Sequence, residues 1–351
     1  MKTSYLIRFI TAGVAGLALT LTARADVTVV ISGGNASKTV LFDRAAAVLS
    51  GASVVNGPNS NVRSYVNGTI TSQPGLGKVT VHFVLNGAVG GIQDLANQAN
   101  EQVATTNSLP PQVAVSSTAP ETVGIDPAPF TQNRTLVIPF AFIKNPATAP
   151  NLASVTNLTQ RQAAYLEGAA GTLPSAFFGG ASTNDTVYLV GRNTASAVRT
   201  ITDASIYFTG TLATYTTNSA GQPILDPAGG QSSGAAVGAL LKLIPNAIGT
   251  VAAQDVGSFT PLAYEGVPFS ITNVVNGSYP IWGYERWLYL NKNQQGAPSA
   301  NQLAVINALL GAVTDPVYQT TSTVFVGNFV PLGQLQVQRS SDGGPITSTI
   351  Y

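Results

Sequence analysis

The chain has 351 residues, only 9% of them charged, with 16 Lys and Arg against 15 Asp and Glu, one His and no Cys. This excludes a basic nucleic-acid binder, which needs clustered Lys and Arg. It also excludes disulfides, zinc–cysteine centres and cysteine nucleophiles. An apolar fraction of 44% supports a sizeable core and excludes a charge-rich disordered chain. His82 alone cannot build a histidine metal cluster, so neither a metal nor a cofactor is expected.

At the N-terminus, Lys2 and Arg8 precede an apolar run over 9–21, which ends in Ala23-Arg24-Ala25. A basic start, a short apolar segment and a small-x-small end form a secretory signal pattern. The run falls short of the roughly 18 apolar residues a spanning helix requires. Cleavage after Ala25 is expected, so residues 1–25 are read as a signal peptide and the mature chain as exported to the periplasm. Loss of Lys2, Arg8 and Arg24 takes the 16 basic residues to 13 against 15 acidic. The mature protein is then slightly acidic, and any anion site must rest on local groups rather than on the overall field.

Three segments follow one plan: apolar strand, Gly/Ser/Asn loop, helix. The first is a strand at 27–31, a loop at 32–37 and a helix facing inward with Leu41, Ala45, Val48 and Leu49. The second is a strand at 79–85, a loop at 86–91 and a helix from Ile92. The third is a strand at 186–190, a loop at 191–196 and a helix with Val198, Ile201 and Ser205 in register. A looser fourth case is the loop 229–234 leading into a helix at 235–243. Such repetition predicts an α/β protein with mostly parallel sheets. In these folds ligands sit beyond the strand carboxyl ends, against helix N-termini whose unpaired N–H groups suit an anion. The Pro/Thr/Asn-rich stretches 108–111, 131–135 and 214–230 read as connections, the last as a surface excursion. Ser299 reads as an N-cap of a helix burying Leu303, Ile306, Leu310 and Val313. Residues 323–337 read as strand pieces, and the last ten as loosely ordered.

Taken in order, the segments resemble the phosphate-binding proteins of bacterial ABC transporters. Residues 190–198 (VGRNTASAV) are similar to the family's Arg-x-x-x-Ser-Gly-Thr loop, and 157–168 to the helix before it. Residues 137–145 resemble the strand entering the second lobe, 246–251 (NAIGTV) the family's "gaIGYv" element and 279–282 (YPIW) its returning strand. The resemblance spans roughly 27–289 and implies two α/β lobes of the type 2 periplasmic-binding-protein fold joined by hinge strands. The implied layout is 26–138 and 261–351 for one lobe and 139–260 for the other. It also implies an oxyanion, phosphate first, bound between the lobes by a monomer and passed to an ABC permease.

By the same resemblance, Arg192 falls where the family's Arg grips phosphate; its guanidinium is a fixed fork of charged donors. Ser196 falls on the family's Ser, offering a hydroxyl and a backbone N–H. Ala197 and Val198 stand in place of Gly-Thr. Gly87 keeps a loop glycine, while Ala88 and Val89 stand in place of Ser. Asn35, Ala36 and Ser37 occupy the first anion-binding loop, where Asn35 or Ser37 could substitute for the family's Thr. In Ser116-Ser117-Thr118-Ala119-Pro120, Thr118 stands where the family has the Asp that accepts the proton of hydrogen phosphate. A Thr hydroxyl both donates and accepts, so it would not reject sulfate. The alternative is a secreted protein of the same fold whose ligand site is degenerate and whose role is structural or one of interaction.

No catalytic reading competes. Residues 230–234 match G-x-S-x-G, but that arrangement needs a His after the Ser, and His82 precedes Ser232. His82 reads as a hydrogen-bonded structural residue of its strand. Trp282, Tyr284, Trp287 and Tyr289 read as core and hinge packing rather than a sugar platform.

Overall fold

The computed structural model describes residues 24–104 and 107–349; most of the expected signal peptide lies outside them. Eleven strands form one sheet: β1 (Val27–Gly33), β2 (Ser53–Asn56), β3 (Val62–Gly68), β4 (Val79–Val84), β5 (Val113–Ser116), β6 (Phe130–Lys144), β7 (Tyr188–Val190), β8 (Ala247–Ala252), β9 (Thr260–Pro261), β10 (Trp282–Leu290) and β11 (Val330–Pro331). The helices are α1 (Lys38–Val48), α2 (Ala88–Asn97), α3 (Gln160–Ala169), α4 (Ala197–Ser205), α5 (Gly234–Leu241), α6 (Ile271–Val275), α7 (Ala300–Val313) and α8 (Pro316–Thr321). None of the described helices is long and apolar enough to cross a membrane.

The sheet order is β7-β8-β6-β10-β5-β1-β4-β3-β2, with β9 and β11 flanking β6. The centre of each lobe is parallel. β1 pairs with β4 (Val29↔Val81) and β5 (Ile31↔Val113) in one; β7 pairs with β8 (Leu189↔Ile248) in the other. These strands are predominantly apolar, as suits strands covered by helices on both faces. Two long antiparallel strands join the lobes. β6 pairs with β10 from Phe130 to Pro139 and with β8 from Phe140 to Lys144. Pro139, which lacks an N–H, stands at the changeover, where a proline is tolerated. The result is a two-lobed α/β fold hinged on β6 and β10.

Trp282 and Trp287 are fully buried on β10, and Trp282 meets Tyr284 edge-to-face at 5.2 Å, so this stretch is hinge core. His82 Nδ1 lies 2.6 Å from the Ser64 hydroxyl on the neighbouring strand. Ser299 caps α7 through a reciprocal bond set with Gln302.

Several expectations are corrected. Residues 131–135 are not a connection but the first half of β6, where pairing with β10 outweighs weak local strand propensity. α2 begins at Ala88, so Ala88 and Val89 are its first turn rather than loop. α7 buries Val305, Ile306, Leu309 and Val313, leaving Leu303 and Leu310 half-exposed. Within 323–337 only Val330–Pro331 and the start of a two-residue pair at Val337–Gln338 are strand. Residues 342–349 are not loose: Asp342 is buried and Thr347–Ser348 pairs with Val337–Gln338.

Candidate functional site

Loops at the carboxyl ends of β1, β4, β5 and β7 converge between the lobes. They enclose a cavity lined by Gly34, Asn35, Ala36, Gly87, Ala88, Ser117, Arg192, Ser196, Ala197 and Val198, with about 10 Å³ open to the centre of a water-sized sphere. That is the scale of one compact occupant. Eight of the ten residues singled out from sequence come together here: Asn35, Ala36, Gly87, Ala88, Ser117, Arg192, Ser196 and Ala197. Gly34 and Val198 complete the wall, each beside a residue already named.

Among the described residues Arg192 is the one charged residue in the lining, and it is only 3% exposed. Its Nε donates to the Gln231 carbonyl and its Nη2 to the Ser232 carbonyl, both at 3.0 Å. A parallel bridge between Arg192 and Gln231 fixes the two loops together. These bonds use two of five N–H groups and aim the fork. Burial lowers the guanidinium pKa to about 10, partly opposed by the charge of Asp255, so it stays cationic at neutral pH. Burial raises the Asp255 carboxyl, while Arg192 and Lys38 draw it back. The holding carbonyls of Gln231 and Ser232 were not singled out from sequence; the Gly229–Gly234 loop was their only signal.

Ser196 is the N-cap of α4, but its hydroxyl makes no cap bond. Its backbone N–H is bonded to the Asn193 carbonyl at 3.1 Å, so only the hydroxyl is left to serve the cavity. The first turns of α2 and α4 both end on the cavity, adding the partial positive charge of two helix N-termini. Two expected residues face elsewhere. Ser37, the N-cap of α1, is buried beside the Glu285 carboxyl and away from the lining. Thr118 is fully buried and its hydroxyl donates to Asp342 at 2.9 Å. The acceptor of Asp342 is stronger than anything the cavity offers, so Thr118 turns to it.

Contacts between the lobes close the cleft. Val89 N–H donates to the Ala195 carbonyl at 3.1 Å, Asn35 Nδ2 to the Ser232 carbonyl at 3.2 Å, and Thr39 Oγ1 to Gln254 Oε1 at 3.0 Å. Gly87 makes this approach possible: a Cβ there would sit 2.8 Å from Ala195 Cβ and 2.9 Å from its carbonyl oxygen. Among the described residues, no group of three or more His, Asp or Glu could hold a metal.

No family model matches the sequence, and no curated relative matches it. The fold does match solved structures. A phosphate ABC transporter substrate-binding protein from Clostridium perfringens, determined with bound phosphate, aligns at a TM-score of 0.57 and 14% identity, covering 87% of this chain and 100% of that one. A phosphate-binding protein from Stenotrophomonas maltophilia aligns at 0.52 and 12% identity, covering 88% and 91%. A high-affinity periplasmic phosphate-binding protein (PfluDING), also phosphate-bound, aligns at 0.50 and 12%, covering 87% and 91%. At these identities the likeness is one of fold, and the chain has the two-lobed fold of the periplasmic phosphate-binding proteins.

Proposed function

We propose that the chain is an exported solute-binding protein, not an enzyme, that closes its lobes on a small tetrahedral oxyanion and presents it to an ABC permease. The reading assigns 1–25 to a signal peptide, 26–138 with 261–351 to one lobe and 139–260 to the other, and expects a periplasmic monomer. The observation that carries it is a buried, always-charged Arg192 in a small interlobe cavity with no acidic residue in its lining. Burying a cation is costly; the charge of Asp255 offsets part of that cost, and an anion in the cavity offsets more of it. A cavity of this size suits a bare oxyanion rather than one esterified to a sugar.

The donor set also sets selectivity. At neutral pH phosphate keeps a proton and sulfate has none. A site that prefers phosphate needs a strong acceptor for that proton; here the lining supplies hydroxyls and amide oxygens but no carboxylate. Phosphate and sulfate are therefore expected to bind within about tenfold of each other, a difference below about 1.4 kcal/mol. Equilibrium dialysis of labelled phosphate against rising sulfate measures this. Sulfate that competes only at hundredfold excess would refute the donor-only site, and no retained phosphate at all would refute the function.

A second reading, a closed protein of the same fold with a structural role, is favoured by the direct bonds between the lobes. Gly87→Val separates the two. The added side chain overlaps Ala195 and holds the cleft ajar. In the binding reading, phosphate affinity drops at least tenfold while secondary structure is kept. In the structural reading, dialysis finds nothing to lose in either protein.

A further inference from the structure

We propose that the C-terminal tail at Asp342-Gly343 is a strap that holds both walls of the closed cleft, with Asp342 as a positioning residue for the oxyanion site. The inference deepens the binding reading and rests on it only for the affinity arm of its test.

The strap is anchored on the hinge. Arg339 is buried, its guanidinium 3.9 Å from the centre of the Trp282 ring, and its Nη1 donates to the Trp282 carbonyl at 3.2 Å. Its Nη2 donates to the Pro280 carbonyl at 2.6 Å. Three residues on, the Asp342 carboxylate collects four donors. Oδ2 accepts from the Thr118 hydroxyl at 2.9 Å, the Ala119 N–H at 2.6 Å and the Thr122 hydroxyl at 2.9 Å. Oδ1 accepts from Arg286 Nη2 at 3.3 Å. Charge-assisted bonds of this kind are about twice as strong as neutral ones, and here they fix the residues that directly follow Ser117 in the cavity wall.

The next residue packs directly against the opposite lobe. Gly343 has φ +67°, and a Cβ there would lie 2.5 Å from the Ala204 carbonyl carbon and 2.6 Å from its oxygen. Ala204 is in the last turn of α4, the helix whose N-terminal turn carries Ala197 and Val198 into the cavity. A single dipeptide of the tail thus binds a cavity loop of one lobe and packs against a cavity helix of the other. Separating the lobes would pull at least one of them from the tail, so the strap favours closure and slows release.

The test compares the parent with Asp342→Ala and Gly343→Val, each breaking one end of the strap. Val305→Ala in α7 is a control that lowers stability away from it. The first readout needs no anion: exchange of the Val89 amide, whose bond to Ala195 crosses the cleft, followed at a temperature where all four proteins are folded. Both strap variants are expected to exchange Val89 at least tenfold faster, and Val305→Ala to stay within threefold of the parent. The second is phosphate affinity by dialysis, expected at least tenfold weaker in both strap variants and within twofold in the control. Unchanged Val89 exchange in both strap variants, or an equal change in the control, overturns the strap. A parent that shows strap-dependent exchange but retains no phosphate refutes the binding reading alone.

Discussion

Arg192→Ala is expected to abolish oxyanion binding, lowering affinity at least a hundredfold. Among the described residues the side chain is the only charged group lining the cavity, and its fork is pre-aimed by the Gln231 and Ser232 carbonyls. Hydrogen bonds to charged groups contribute about 1.5–3 kcal/mol each. Losing two of them to the anion amounts to about 3–6 kcal/mol, or a factor of roughly 10²–10⁴. The same change strips the donors from two loop carbonyls, so a lower melting temperature is expected too. Arg192→Lys separates charge from geometry: an ammonium keeps the charge but cannot bridge both carbonyls, and should fall between the parent and Arg192→Ala. Titration calorimetry with phosphate, at a temperature where every variant is folded, reads all three. Arg192→Ala binding within threefold of the parent would place the anion elsewhere.

The second large effect is on stability against pH. Glu285 is 1% exposed on the hinge strand, and burial pushes its carboxyl up to about 7 from an ordinary 4.5. The Ser37, Thr135 and Trp287 side chains around it oppose that shift without cancelling it. The folded state holds the proton more tightly than the unfolded one. The stabilisation is therefore complete below about pH 4.5 and is lost as pH rises through 7. At 1.36 kcal/mol per unit this amounts to about 3 kcal/mol. Glu285→Gln imitates the protonated group, so it should be more stable than the parent by up to about 3 kcal/mol at pH 8 and close to it at pH 4. Four other carboxyls act in the same direction, Asp255 among them, raised by burial and drawn back by Arg192 and Lys38. Burial raises Glu101 to about 7, with added repulsion from Asp94. Burial raises Asp203 to about 6. Glu167 is raised well above its ordinary value by burial and by Asp203. Denaturant unfolding from pH 4 to 8 is expected to show the parent losing stability throughout and Glu285→Gln losing distinctly less. Parallel curves would mean that Glu285 is not the group responsible.

Local chemistry made much of this legible in the sequence. The strand–loop–helix units at β1, β4 and β7 follow from apolar runs ending in Gly, Ser and Asn, and they bring Asn35, Gly87 and Arg192 to one cavity. What could not be read depends on distant partners. Thr118 is an ordinary loop hydroxyl until Asp342, 224 residues away, claims it. Gln132, Asn133 and Arg134 near the start of β6 read as a connection, and pairing with β10 makes the stretch a strand. The tail looks unstructured because Arg339 and Asp342 find their partners on the hinge and on the 118–122 loop rather than nearby. Ser37 shows the reverse case: its residue type suits an anion loop, but its position at the α1 cap turns it toward Glu285.

The central claim is that the interlobe cavity holds an oxyanion against Arg192. A crystal structure of residues 26–351 grown with phosphate tests it most directly. Tetrahedral density is expected in the cavity, with oxygens in hydrogen-bond contact with the Arg192 guanidinium and the Ser117 and Ser196 hydroxyls. A cavity filled by water or by the protein's own side chains at saturating phosphate would contradict it.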